Sequence, residues 1–460
     1  MKRLITFCLA ISIIATISSQ SIEGNWSGKL DMMGQSLPIV FNISKSDSAY
    51  TTTMDSPAQG AFGLPTSKTT VSGNKIEIVA TNLAIFYQGK LEGDTITGTF
   101  NQNGIPFTLT LRQSNEHALN RPQEPNPPFD YKIEEISFTN KVDDNTLSGT
   151  LTIPNTSDKH PAIVLIAGSG PNDRDESIFG HKPFLVLADY LTSNGYMVLR
   201  YDKRGVGSST GRYETATTKH FADDASAAIN YLKTRNDVDK SSIGIIGHSE
   251  GGTIATMIAA NRSDIKFVVM LAAMGSKGID IIMQQNETAL KKQNIEQQNI
   301  DELLEITNHT LTNLSNWKGT DNDKTVLRDQ LNLLWDKMPL IMKLKMNKDQ
   351  YIRSNLATMS SPWFREFIKI DPIHYLKKTN CPILALNGEN DTQVIVSKNI
   401  ELIDRALEES NKKYKTKVYP QLNHLFQEST TGSASEYGNI EQTISTEVLA
   451  DIVEWIKNIE

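Results

Sequence analysis

The stretch from Ile243 to Ala260 constrains this chain more than any other. It reads Ile-Gly-Ile-Ile-Gly-His-Ser-Glu-Gly-Gly-Thr-Ile-Ala-Thr-Met-Ile-Ala-Ala. An apolar run ends in Gly247-His248-Ser249-Glu250-Gly251-Gly252, and an Ala-rich helical run follows at once. A strand that becomes a helix over so few residues needs a sharp turn with strained backbone angles at the serine. Flanking side chains would collide there, so glycines stand two positions to either side of Ser249. The turn lifts the Ser249 hydroxyl clear of the sheet, and the helix N-terminus points its amides at the same spot. Such a turn belongs in a layered α/β domain.

The chain from about residue 131 keeps this strand–helix rhythm. Candidate strands are Ile133–Thr139, Thr146–Ile153, Ala162–Ala167, Tyr196–Tyr201, Ile243–Gly247, Phe267–Ala272, Pro382–Asn387 and Lys415–Tyr419. Continuous apolar runs such as Ile163-Val164-Leu165-Ile166 mark strands buried on both faces of a mostly parallel sheet. Helical stretches lie between them, as at Phe184 to Leu191 and Asp223 to Leu232. Residues 276–370 break the alternation. There Ile300/Leu303/Leu304 and Leu333/Leu334/Met338 follow helical spacing, and Met342, Leu344 and Met346 continue an apolar segment. The pattern predicts a helical insertion placed as a lid. Met342 and the Trp363-Phe364 pair are expected to line a substrate pocket beneath it, since flexible Met side chains adapt to varied shapes.

Residues 20–115 read differently. Short alternating runs at Leu37–Ile43, Lys75–Ala80, Thr95–Phe100 and Phe107–Leu111 are punctuated by Gly and Asn. This predicts a small all-β domain, a barrel or a sandwich. Residues 116–130 then carry Arg121-Pro122-Gln123-Glu124-Pro125-Asn126-Pro127-Pro128. A proline-dense stretch lacks backbone donors and stays extended, which predicts a semi-rigid linker. At the other end of the β region, Lys2 and Arg3 precede an apolar run from Leu4 to Ile17 and small residues at Ser18 and Ser19. That is the layout of a secretory signal peptide over residues 1–19, and it predicts a secreted or periplasmic protein. An uncleaved anchor is the alternative.

Composition removes several classes. The formal charge of -7 comes without a basic block, so no nucleic-acid partner is expected. No later stretch is apolar enough for a membrane span. With only Cys8 and Cys381, a disulfide scaffold and a Cys-rich zinc site are excluded.

A serine hydroxyl needs a base, and the base needs an orienting acid. Elimination among the eight histidines points to one. His117 precedes the α/β domain; His160, His181, His220 and His248 precede Ser249; His309 and His374 fall in or near the insertion. Only His424 follows the last candidate strands, in the order Ser, Asp/Glu, His. The acid should follow strand seven, where Leu386-Asn387-Gly388-Glu389-Asn390-Asp391-Thr392 offers Asp391 and, as an alternative, Glu389. Asp391 is preferred because the turn must pass the strand edge to reach the histidine loop.

These motifs carry a resemblance. Residues 131–460 resemble the α/β-hydrolase superfamily, and within it the secreted bacterial carboxylesterases of the EstD type, grouped with prolyl-oligopeptidase-like and serine aminopeptidase-like hydrolases. The motifs are Ala167-Gly168-Ser169-Gly170-Pro171-Asn172-Asp173-Arg174-Asp175, Tyr201-Asp202-Lys203-Arg204-Gly205-Val206-Gly207-Ser208, the turn at Ser249, and the Asp391 and His424 loops. Ser361-Pro362-Trp363-Phe364-Arg365 and Leu422-Asn423-His424-Leu425-Phe426-Gln427 also look like this group. The resemblance implies an oxyanion hole made by the Glu250 amide and an amide of the Gly168-Ser169-Gly170 loop. Many relatives have His-Gly there, whereas this chain has Ala167-Gly168, which leaves Ser169 and Gly170 both open. It implies hydrolysis of a small carboxylic ester through an acyl-enzyme, with no metal or organic cofactor. A serine peptidase or aminopeptidase uses the same residues and is the rival reading; an inactive binding protein is a third.

Overall fold

The chain divides into two units, Met1–Ala118 and Leu119–Glu460. The computed structural model describes residues 21–32, 35–46, 49–56, 61–102, 104–114, 121–156, 158–293, 295–343, 347–410 and 413–459. The predicted signal peptide lies outside them, as do 116–120 of the predicted linker and Leu344 to Met346 of the Met-rich segment.

The first unit is one antiparallel sheet of nine strands: β1 Gly24–Met32, β2 Gln35–Ser46, β3 Ala49–Ser56, β4 Ala61–Pro65, β5 Lys68–Ser72, β6 Lys75–Ala80, β7 Ile85–Glu92, β8 Thr95–Gln102 and β9 Ile105–Gln113. Their order is β4-β3-β2-β1-β9-β8-β7-β6-β5. Alternation decides the faces. In β7 Ile85, Tyr87 and Leu91 are buried while Phe86, Gln88 and Lys90 are exposed. The inward set packs around Trp26, Phe41, Tyr87 and Phe100. Edge strands β4 and β5 are joined by Thr66 and Ser67 alone. Thr66 N donates to Thr52 O (3.2 Å) and Thr69 Oγ1 to Thr52 Oγ1 (2.8 Å). These bonds bring the edge strand β5 against β3, and both pack on the same core.

The second unit is layered. Its strands are β10 Tyr131–Asn140, β11 Asn145–Pro154, β12 His160–Ile166, β13 Met197–Tyr201, β14 Val238–His248, β15 Val268–Leu271, β16 Ile383–Gly388 and β17 Tyr414–Tyr419. The order is β10-β11-β13-β12-β14-β15-β16-β17. The pairs β10/β11 and β11/β13 are antiparallel, and all pairs from β13/β12 onward are parallel. The central run 162–167 shows why these strands read as unbroken apolar runs. Ala162, Val164 and Ile166 enter the core on one face, while Ile163, Leu165 and Ala167 enter the core on the other. Burying each Ile, Leu or Val side chain contributes roughly 1.5–3 kcal/mol. Helices α1 Pro183–Ser193, α2 Thr218–Thr234, α3 Glu250–Asn261, α10 Pro372–Lys378, α11 Val396–Glu409 and α13 Thr446–Lys457 accompany the sheet, with the short α12 Ala434–Tyr437 before the last.

Between β15 and β16 stand α4 Gly278–Lys291, α5 Gln297–Ser315, α6 Asp321–Lys337, α7 Leu340–Lys343, α8 Lys348–Ser360 and α9 Pro362–Phe367. Among the described residues of 276–370 there is no strand. This insertion has a core of its own, built on Leu303, Leu311, Leu331 and Phe364.

The proline-dense stretch departs from the expected spacer. Arg121 donates from Nη1 to Ile440 O (2.5 Å), from Nη2 to Gly438 O (2.8 Å) and from Nε to Gly180 O (3.0 Å). Gln123 Oε1 accepts from Thr443 N (2.6 Å) and its Nε2 donates to Ile444 O (2.7 Å). Residues 121–123 are thus fastened to the layered unit. The prolines supply no donors, but the side chains of Arg121 and Gln123 do.

Among the described residues no helix is long and apolar enough to cross a membrane.

Candidate active site

The chemistry gathers at the carboxyl ends of the parallel strands. β14 ends at His248, and Ser249 takes φ +55° and ψ −121° before α3 begins at Glu250. A non-glycine residue at positive φ costs on the order of 1–3 kcal/mol. Close backbone approach explains the glycines. A Cβ on Gly251 would lie 2.0 Å from Ile166 O, and one on Gly247 would lie 2.1 Å from Gly251 O. At Gly252 it would meet Ala273 Cβ at 2.5 Å. Ser249 N donates to Leu271 O (2.7 Å), which ties the turn to β15.

His424 and Asp391 come together. His424 Nδ1 lies 2.7 Å from Asp391 Oδ2, and both side chains are buried. Asp391 Oδ1 accepts from Gln393 N (2.8 Å) and Val394 N (2.9 Å), and Oδ2 also faces Asn387 Nδ2 (3.3 Å). Glu389, two residues earlier, is exposed and its backbone N–H donates to Tyr419 O. The turn after β16 therefore offers Asp391, not Glu389, to the histidine. The His424 loop is tight. Asn423 Oδ1 accepts from Leu425 N (2.9 Å) and Gln427 N (3.0 Å), and Asn423 Nδ2 donates to Gln427 Oε1 (2.9 Å).

Ser249 and His424 line one cavity of about 230 Å³ with Gly168, Ser169, Trp363 and Phe367. Among the described residues no hydrogen bond joins Ser249 Oγ to His424; they share the wall. Apo sites often tighten such a contact only when substrate binds.

The loop after β12 is held by its carbonyls. Asn172 Nδ2 donates to Gly168 O (2.8 Å) and Ser169 O (3.1 Å), and Lys203 Nζ donates to Gly168 O. The Gly168 amide donates to Glu176 Oε1 (2.6 Å) and so is taken. Among the described residues no acceptor takes the Ser169 amide, and Ser169 lines the cavity whereas Gly170 does not. The Glu250 amide sits in the first turn of α3, where N–H groups have no acceptor within the helix. Glu250 Oε1 accepts from Thr218 Oγ1 (2.6 Å) and from Trp363 Nε1 (2.8 Å), so the turn also holds the insertion.

Two expected pocket residues are elsewhere. Phe364 is buried in the insertion's own core, and Met342 packs against that core; neither lines the cavity. The reason is helical spacing. Trp363 and Phe367, four apart on α9, share a face and stack at 5.1 Å. Phe364 turns toward the helices behind. Ile281 and Ile282 of α4 complete the apolar wall.

A profile of the family described as "Serine aminopeptidase, S33" matches residues 182–429. The chain belongs to this family of α/β hydrolases. Esterase EstD of Thermotoga maritima is 28% identical over 321 residues, covering 69% of this chain and 68% of that protein. Uncharacterized protein YfhR of Escherichia coli is 29% identical over 151 residues, covering 32% of this chain and 50% of that protein. An esterase of Pyrococcus furiosus with a solved structure is 17% identical, covers 74% of this chain and 97% of its own, and superposes with a TM-score of 0.43.

In this S33-family chain, sequence reasoning passed over residues that the cavity uses. Glu176 and His248 both line it, with His248 Nδ1 3.0 Å from Glu176 Oε1. Chain order alone sets His248 aside as the base, although it adjoins Ser249. Glu176, at φ +51°, carried no signal beyond its place in the loop after β12.

Proposed function

We propose that the protein hydrolyses small carboxylic esters through Ser249, His424 and Asp391. One observation carries this reading: the hydrogen-bonded His424–Asp391 pair lines the same cavity as a serine held at positive φ on a strand-to-helix turn. His424 takes the Ser249 proton as Oγ attacks the acyl carbon, and the Glu250 and Ser169 amides hold the oxyanion. His424 then returns the proton to the leaving alcohol. Water repeats the cycle on the acyl-enzyme. Likeness to Esterase EstD supports an ester as the bond broken. A cavity of about 230 Å³ suits a small substrate. Secretion after cleavage near Ser19 is part of the proposal.

A second reading, an aminopeptidase, is favoured by one feature: the matching family is described as "Serine aminopeptidase, S33". A paired panel of acyl p-nitrophenyl esters and aminoacyl p-nitroanilides separates the readings. Ester turnover at least tenfold above anilide turnover is expected; the reverse order would replace the first reading with the second.

The insertion acts as a lid in this scheme. Phe367→Ala should open the acyl side of the cavity and raise activity on longer esters relative to short ones by roughly tenfold, the scale of one or two methylene groups in a pocket. Phe364→Ala should lower stability by about 3 kcal/mol without changing that profile. An unchanged chain-length profile in folded Phe367→Ala would make the insertion scaffolding.

A further inference from the structure

Behind the proposed base lies a second histidine–carboxylate pair that the scheme above does not use. His248 is buried, and both its ring nitrogens are engaged: Nδ1 with Glu176 Oε1 (3.0 Å) and Nε2 with the backbone O of His424 (3.0 Å). A backbone carbonyl only accepts, and Glu176 Oε1 already accepts from Gly168 N (2.6 Å). A neutral imidazole has one N–H and satisfies one such partner; an imidazolium satisfies both. Glu176 thus touches the loop that carries Ser169, His248 adjoins Ser249, and His248 reaches the residue proposed as base. Three segments, following β12, β14 and β17, meet at this one histidine–carboxylate contact.

We infer that His248 is a positioning residue, an imidazolium clasp that, paired with Glu176, holds the backbone of His424 and the Gly168-Ser169 loop in register around Ser249. This rests on the serine-hydrolase reading. The rings of His248 and His424 lie 4.8 Å apart between centroids. A bare cation there would oppose the charge that His424 gains during catalysis. Glu176 neutralises it, so His424 meets a balanced pair.

The groups around His248 agree. Burial opposes its charge, but the Glu176 carboxylate, with lesser help from the His424 carbonyl and Asp391, outweighs burial and raises its pKa above the ordinary histidine value. Lys203, buried beyond Glu176, and Glu250, next to Ser249, are the other charged groups near the pair. A raised pKa keeps the clasp charged above the usual histidine range, and the clasp is lost as pH rises through the folded value. Wild-type kcat should therefore fall on an alkaline limb.

The test measures kcat and KM on a p-nitrophenyl ester across pH, per active site titrated by the p-nitrophenol burst, with the Ser249→Ala rate subtracted. Glu176→Gln keeps the shape and an acceptor oxygen but removes the counter-charge. It should move the alkaline limb to lower pH by about one unit or more with little change in KM. His248→Gln should remove the limb and lower kcat roughly 10–100-fold, as expected when a reacting group is misplaced. A limb at the wild-type pH in Glu176→Gln would overturn the inference while leaving Ser249 and His424 as proposed. Wild-type protein that shows no Ser249-dependent burst would overturn both. If His248→Gln does not fold, Glu176→Gln alone decides.

Discussion

Ser249→Ala is expected to lower kcat on p-nitrophenyl esters by roughly 10⁴-fold or more while leaving the fold intact. The physical case has two parts. Among the described residues, Ser249 Oγ makes no hydrogen bond, so its removal strands no buried partner and the thermal midpoint should stay within a few degrees. The backbone strain at φ +55° is common to Ser and Ala, and the Leu271 O contact is made by the main chain. What disappears is the hydroxyl proposed as the nucleophile. Ser169 also lines the cavity, but it belongs to the loop after β12 and not to the strand-to-helix turn. The amides of Glu250 and Ser169 would remain and sustain a small residual rate. The measurement is single-turnover and steady-state hydrolysis on protein shown folded by circular dichroism. Activity within tenfold of wild type would remove Ser249 from the proposed role.

Asp391→Asn should cost roughly as much, about 10⁴-fold in kcat, for a different reason. Both carboxylate oxygens accept. Oδ1 takes two backbone N–H groups, from Gln393 and Val394, and Oδ2 takes His424 Nδ1. An asparagine must put its NH₂ on one side. Against the two amides it would face donors, so it turns toward His424. The Nδ1 atom must then accept, which moves the ring proton to Nε2, the nitrogen proposed to take the proton of Ser249. The backbone hydrogen bonds survive, so the loop should remain folded. Glu389→Gln is the control: that side chain is exposed and should change kcat less than threefold. If Glu389→Gln is the crippling change and Asp391→Asn is mild, the orienting acid is Glu389.

The features legible in the sequence are those that local chain geometry enforces. The strand-to-helix turn needs Gly247, Gly251 and Gly252 because backbone atoms, or at Gly252 the Ala273 Cβ, lie within 2.5 Å of where a Cβ would sit. The parallel strands advertise themselves because burial on two faces leaves no polar alternation. The helical insertion shows through its spacing, and its stop at β16 through the return of an apolar run. The nine-stranded sheet was harder to read. Strands such as β3, with Thr51 to Thr53, and β5, with Thr69 and Thr70, carry few apolar residues, so alternation alone marks only part of the sheet.

Tertiary structure alone decided which side chains meet. His424 and Asp391 are 33 residues apart, Glu176 and His248 are 72 apart, and Trp363 and Glu250 are 113 apart. No periodicity reports on such pairs, because each contact depends on where two loops leave the sheet. The choice of Asp391 over Glu389 depends on which way one turn points. The choice of Phe367 over Phe364 depends on which face of α9 meets the cavity. The His248–Glu176 pair was hidden for the same reason: its partners come from the loops after β12, β14 and β17, which only the fold brings together. The chain's own order supplied the candidates; the packing of three strand ends selected among them.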